Sequence, residues 1–147
     1  MTKENNRNLI HYRKVIGKLG TLYHEIAMHQ GFSDSAHAIL YTICFSGKDR
    51  CPIHDICLYS GISKQTINSS LRKLEKDGVV YLRNVDGRSK EVVLTEKGKE
   101  ICSRTVCQLL DAEDSLLQKW SNEDLAKYIE LSERFLSDIT RCYGDIL

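Results

Sequence analysis

The stretch 61-GISKQTINSSLRKLEKDG-78 decides how this chain folds. Its apolar residues fall at helical spacing. At about 100° per residue, Ile67, Leu71 and Leu74 form one narrow stripe, with Ile62 just upstream. Gln65, Ser69, Arg72 and Lys76 lie within about 40° of the opposite direction, flanked by Asn68 and Lys73. This predicts a helix over 63–77, closed by Gly78. Its outer face is unusual. Gln, Thr, Asn and Ser occupy positions where Ala, Glu or Lys would make a stronger helix, at a cost of a few tenths of a kcal/mol each. Such a surface has a use against base-pair edges. Gln and Asn match adenine, Ser and Thr serve either base, and Arg and Lys grip guanine or phosphate.

The neighbouring segments give this helix a context. Pro52 suits the first turn of a short helix over 52–59. Tyr59-Ser60-Gly61 then turns the chain into the quoted helix, a helix-turn-helix arrangement. Two strands follow, 79-VVYLR-83 and 90-KEVVL-94, joined by 84-NVDGRS-89 with its Asp86-Gly87 hairpin signal. A charged hairpin after a helix-turn-helix is a wing, and Arg88 and Lys90 near its tip can reach an adjoining minor groove or the sugar-phosphate backbone.

Outside this middle third, helices are expected. In 6–30, Leu9, Tyr12, Ile16, Leu19, Tyr23 and Ile26 alternate steps of three and four, the seam of a helix pair. Ser33 caps a helix over 34–46 whose inward residues are Ile39, Leu40, Ile43 and Cys44. Thr95 opens a helix running to about Lys119. Ser121 opens the last one, striped by Leu125, Tyr128, Ile129, Ser132, Phe135, Leu136 and Ile139.

Composition bounds the function. The 147 residues, 41% hydrophobic and 28% charged, suit one globular domain. No apolar run could span a bilayer, and the polar N-terminus does not read as a secretory signal, so a cytoplasmic location with no membrane partner is expected. Net charge is +1, unevenly spread: residues 60–98 hold eight Lys/Arg against five Asp/Glu, and residues 99–147 hold six against ten. A mildly basic middle suits a polyanion. There is no Gly-rich phosphate loop, no G-x-S-x-G and no H-E-x-x-H. No enzyme and no cofactor are expected.

Six cysteines, Cys44, Cys51, Cys57, Cys102, Cys107 and Cys142, form no C-x-x-C pair and read as reduced thiols. Cys51, beside Lys48 and Arg50, is the candidate redox thiol, because nearby cations lower a thiol pKa. Its bland alternative is an ordinary loop cysteine. Cys44, Cys57 and Cys102 fall at apolar helix positions and read as small core residues. The set Cys51, His54, Cys57 offers three metal ligands where structural sites commonly use four, and no metal site is assigned. His11, His24, His29, His37 and Tyr41 could face a small ligand; none is assigned to one.

Three motifs in order resemble the multiple-antibiotic-resistance regulator (MarR) family of winged-helix transcription factors. Ser63 to Gly78 is similar to the family's recognition helix, closing on Leu74-Glu75-Lys76-Asp77-Gly78. Asp86-Gly87-Arg88 is similar to the D-x-R of the family wing, where the Asp braces the Arg. Leu94-Thr95-Glu96-Lys97-Gly98 is similar to the L-T-x-x-G that begins the helix after the wing. The resemblance implies a mainly α (α+β) fold: a winged helix-turn-helix with long N- and C-terminal dimerisation helices. It implies a single MarR-like domain over 1–147, with dimerisation helices at 1–32 and 99–147 and a DNA-binding lobe at 33–98.

The same resemblance implies a homodimer on a pseudo-palindromic site in double-stranded DNA, a repressor released by a small-molecule effector. The residues carried over for DNA are Ser63, Lys64, Gln65, Thr66, Asn68, Ser69, Arg72 and Lys73 in the helix, and Asp86, Arg88 and Lys90 in the wing. The cysteine near the start of the first helix that marks peroxide-sensing members is absent, since residues 1–43 contain none. The alternative functions are a winged-helix protein–protein adaptor without DNA binding, and a thiol- or metal-responsive sensor on the same scaffold.

Overall fold

The structure, a computed structural model, describes residues 3–144. The extreme ends of the expected 1–147 domain therefore lie outside the described residues. The chain divides into two compact units, residues 1–108 and 109–147.

The first unit begins with α1, Lys3–His29, a long helix ended by Gly31 at φ +84°. α2, Asp34–Phe45, is capped by Ser33, whose hydroxyl accepts from the Ala36 N–H at 3.3 Å. Ile39, Leu40 and Ile43 are fully buried, as their spacing predicts, while Cys44 is half-buried. β1, Arg50–Pro52, comes next and leads directly into α3, Ile53–Ser60. α4, Lys64–Lys76, is the helix of the quoted stretch. β2, Val80–Asn84, and β3, Lys90–Leu94, form the hairpin. They pair antiparallel from Val80↔Leu94 to Asn84↔Lys90.

The sheet has a third strand that the sequence does not announce. β1 pairs antiparallel with β3, giving the order β1-β3-β2. Pro52 hides it. A proline lacks the N–H that a central strand needs, but here it ends a three-residue edge strand. With φ −59° and ψ 141° it then stands as the N-cap of α3, one step outside the helix expected over 52–59.

Each family-like motif has a local physical role. Gly78, at φ +69°, closes α4: its N–H bonds the Glu75 carbonyl and the Val79 N–H bonds the Leu74 carbonyl, both at 2.9 Å. These are the paired bonds of a Schellman cap. Thr95 caps α5, Glu96–Arg104, accepting from the Gly98 N–H at 3.0 Å. Its hydroxyl also lies 2.7 Å from the Gly78 carbonyl oxygen and 3.1 Å from that of Val79. Gly98 is there because nothing larger fits: a Cβ would stand 2.1 Å from the Val79 carbonyl oxygen. The two glycine motifs thus lock the end of α4 to the start of α5.

The helix expected from Thr95 to about Lys119 is broken. α5 ends at Thr105, where φ is −129° and ψ −95°, and α6, Val106–Leu117, starts afresh. The Thr105 hydroxyl bonds the Ile101 carbonyl at 2.8 Å, and Val106 is fully buried. Threonine bonding four residues back, followed by a β-branched residue that must reach the core, bends a helix at this point.

The second unit carries the rest of α6 and α7, Asn122–Tyr143, capped by Ser121. α7 buries no residue. Among the described residues, no helix is long and apolar enough to cross a membrane.

Candidate nucleic-acid interface

α4 is seated by its apolar stripe. Ile67, Leu71 and Leu74 are buried in the core formed by α2, α3, the sheet and α5. Ser70 adds a polar tie, its hydroxyl 2.6 Å from that of Ser35 on α2. At the N-terminus, Ser63 accepts from the Thr66 N–H at 3.2 Å and pairs with its hydroxyl at 2.9 Å. Gly61, at φ +66°, makes the turn from α3. These contacts fix the helix from below and leave its outer face clear.

That face is exposed as the wheel predicts. Lys64, Gln65, Thr66, Ser69, Arg72, Lys73 and Lys76 are exposed, and Asn68 is half-buried. None of the predicted base-reading groups turns into the core. The face carries two tracks. Gln65, Ser69 and Lys76 lie along its crest. Lys64, Asn68 and Arg72 line a cleft of about 890 Å3 that opens toward the hairpin.

The hairpin supplies the cleft's other wall with Arg88, Ser89 and Lys90. Asp86 shapes the turn there. Its carboxylate accepts from the Ser89 N–H at 2.7 Å and the Arg88 N–H at 3.2 Å, with the Ser89 hydroxyl at 3.3 Å. These bonds hold the Asp86 carboxyl below the usual aspartate range, the Ser89 N–H contributing most. The Asp braces the backbone of Arg88. Gly87 at φ +74° completes the turn.

Behind the tip, Glu91 is clamped. It is buried, and the Arg83 guanidinium is ion-paired to it through Nη2 and donates to it from Nε at 3.0 Å. Arg50 of β1 stands 3.7 Å from its other oxygen. One carboxylate thus ties all three strands on the sheet's outer face and steadies the base of the wing. A second hollow of about 670 Å3 on that face includes Lys99, but this cation is committed to Asp49 at 3.0 Å and Glu96 at 2.9 Å. The cations of the α4–hairpin cleft are the better placed for an external polyanion.

Sequence reasoning missed two carboxylates in the cleft, Asp55 of α3 and Glu75 of α4. Glu75 was within reach of helix periodicity, since 64, 68, 72 and 75 trace one line. Asp55 was not, because its position depends on how α3 packs.

Cys51 stands elsewhere than expected. It is 3% exposed in β1, paired in register with Val92. Burial first, then Asp55 and Glu91, push its thiol up to about 11. The neighbouring cations do not activate it. Cys102 is a core residue; Cys44 and Cys57 pack half-buried against the core. Among the described residues, no group of three His, Cys, Asp or Glu side chains could hold a metal ion, so Cys51, His54 and Cys57 do not make a site. Of the candidate effector residues, His24 binds Asp34 at 2.9 Å, and His37 stacks with Tyr41 at 6.2 Å between ring centroids.

Comparison with known proteins agrees with this geometry. Residues 30–89, from the end of α1 to the wing, match the sequence model of the MarR family. This segment, 60 of the 147 residues, is similar to the winged helix of the MarR family. No curated protein matches the chain. Among solved structures, the chain has the fold of AbsC, a MarR family transcriptional regulator from Streptomyces coelicolor, with TM-score 0.75, 18% identity, and 95% of this chain and 96% of that one covered. It is similar to NMB1585, a MarR family regulator from Neisseria meningitidis, at TM-score 0.68 and 19% identity, over 89% and 97% of the two chains. It is also similar to Sco3205, a MarR family transcriptional regulator from Streptomyces coelicolor solved in complex with DNA, at TM-score 0.66 and 20% identity, over 94% and 88%. The fold of these MarR-family structures is thus shared over nearly the whole chain.

Proposed function

We propose that this protein is a sequence-specific DNA-binding transcriptional regulator that acts as a homodimer. One observation carries the DNA reading: an exposed helix face of amide, hydroxyl and cationic groups shares a cleft with the cations of the wing. A helix in the major groove and a hairpin in the next minor groove must have a phosphate strand between them, and Lys64, Arg72, Arg88 and Lys90 line that gap. Gln65 and Ser69 read base edges; Thr66 reads with its methyl, its hydroxyl being engaged by Ser63. The DNA complex of Sco3205, on the same fold, supports this reading.

The dimer reading rests on apolar surface. α7 exposes Tyr128, Ile129, Leu131, Phe135, Leu136 and Ile139, and α1 separately exposes Ile10, Tyr12, Val15, Ile16 and Leu19. Helical stripes this apolar need a cover. A second copy offers the same stripes, and a two-fold dimer places its recognition helices about 34–36 Å apart. Family resemblance carries the finer part of the proposal, a repressor released by a small-molecule effector.

The adaptor reading is weaker, because the outer face of α4 lacks the aromatic anchors of protein interfaces. The test is fluorescence anisotropy on DNA flanking the protein's own gene and on fragments selected from a random pool. The proposal expects saturable binding that falls steeply with salt. Absence of binding to every fragment at low salt would remove it.

A further inference from the structure

The outer side of α1 carries a charge pattern that neither the recognition helix nor the wing explains. Residues 4–20 hold four Lys/Arg against one Asp/Glu, and no carboxylate occurs between Glu4 and Glu25. With Ile16 set at zero and about 100° per residue, Leu9, Tyr12, Leu19 and Tyr23 fall within about 60° of it. Arg7, Lys14 and Lys18 fall at about 180°, 160° and 200°, on the opposite face, with His11 about 20° beyond Lys18. All four are exposed. α1 is therefore two-sided, one face apolar and the other cationic.

These cations are also unengaged. Among the described residues, Arg7, Lys14 and Lys18 have no carboxylate within ion-pair distance. Later helices neutralise their own cations: Lys99 pairs with Glu96, Arg104 with Glu100, Lys127 with Glu130 and Arg141 with Asp138, all at 2.7–3.0 Å. At a rise of about 1.5 Å per residue, Arg7, His11, Lys14 and Lys18 step along α1 by about 6, 4.5 and 6 Å. One strand of a DNA duplex offers about five phosphates over the same length of about 16 Å. A row of cations at this spacing can follow a phosphate backbone.

We infer that the outer face of α1 is a second, sequence-independent contact for duplex DNA, with Arg7, Lys14 and Lys18 on backbone phosphates. The inference rests on the DNA-binding reading and extends it. α4 and the wing select the site, and α1 adds affinity that no base sequence controls. The make-up of the face favours nucleic acid over other partners. A helix lying on a membrane buries an apolar face in the acyl layer. The apolar face of α1 points the other way, and between Arg7 and Lys18 the cationic side has only Ile10 at its margin. A protein interface draws on aromatic anchors and is poor in lysine. This face has two lysines and no Phe, Tyr or Trp.

The test is the salt dependence of binding. The wild-type protein and the combined variant Arg7→Gln, Lys14→Gln, Lys18→Gln are titrated by fluorescence anisotropy across a salt series. One duplex extends several turns beyond the selected site, and the other is unrelated DNA of the same length. The variant should bind both more weakly, with a logarithmic salt slope shallower by about 2–3, at about 0.9 per lost phosphate contact. Its preference for the selected site over unrelated DNA should be unchanged. Arg13→Gln, about 100° around the helix from the nearest of the three, should leave the slope as it is. An unchanged slope in the combined variant, or an equal loss per charge from Arg13→Gln, overturns the inference. The wild-type chain gives a second readout that needs no variant to fold. Labelling with acetic anhydride, mapped by peptide mass spectrometry, should find Lys14 and Lys18 protected by bound DNA, and full labelling of both overturns the inference as well. A wild-type protein that binds unrelated DNA as tightly as the selected site removes the sequence-reading role of α4, while unrelated DNA still decides the α1 slope. No binding to any DNA removes both.

Discussion

Gly98→Ala tests the joint between the end of α4 and the start of α5. The added Cβ would lie 2.1 Å from the Val79 carbonyl oxygen, 3.2 Å from its carbonyl carbon and 3.3 Å from Leu94 Cδ2. Real Cβ contacts essentially never fall below 3.0 Å, so backbone must move by about 0.9 Å. The oxygen it strikes accepts the Thr95 N–H at 3.1 Å and has the Thr95 hydroxyl at 3.1 Å. Overpacking costs about 1–3 kcal/mol. Weakening those bonds adds about 0.5–1.5 kcal/mol each. Alanine's better helix propensity returns up to about 1 kcal/mol. The net loss is about 1–5 kcal/mol, from the same overpacking, hydrogen-bond and propensity contributions. With a urea slope of about 2 kcal/mol/M, the midpoint falls by about 0.5–2.5 M at fixed protein concentration. Gly78→Ala is the comparison. Its Cβ meets nothing within 4 Å, and its cost is the left-handed φ of +69°, about 1–2 kcal/mol. A Gly98→Ala midpoint equal to wild type would refute the close approach.

Further predictions concern the wing and the dimer. Arg83→Ala should cost about 1–3 kcal/mol, because it leaves buried Glu91 with Arg50 alone at 3.7 Å, and Arg83→Ala with Glu91→Val should recover most of it in the same urea assay. Asp86 has a folded pKa below its ordinary value of about 3.9, so its bracing of the wing is complete at neutral pH and is lost as pH falls through the lower value. The Ser89 amide proton, followed by NMR, should titrate with a midpoint under 3.9; a midpoint above it would contradict the bond. Leu136→Glu, at a position 67% exposed on α7, should yield a helical monomer by analytical ultracentrifugation, whereas an unchanged dimer would clear α7 of that role.

The winged helix was legible because its signals are local. The stripe of Ile67, Leu71 and Leu74, the Asp86-Gly87 turn and the caps at Ser33, Thr95 and Ser121 each depend on a few adjacent residues. β1 was not legible, because three residues ending in proline carry no strand pattern and owe their place to β3. The break at Thr105 was hidden for a related reason: the helical pattern continues through it, and what interrupts it is the pull of Val106 toward a core built by distant residues. Cys51 misled for the same cause. Sequence put it beside cations, but pairing with β3 buried it.

The most direct measurement is the affinity of the wild-type protein, Gln65→Ala, Arg72→Ala and Arg88→Ala for a selected DNA site, taken across a salt series. Loss of a base contact at Gln65 or Arg72 should cost about 1–3 kcal/mol on the selected site and much less on unrelated DNA. Loss of Arg88 should weaken binding and flatten the logarithmic salt slope by about 1. Affinities and slopes unchanged in all three variants would contradict the account.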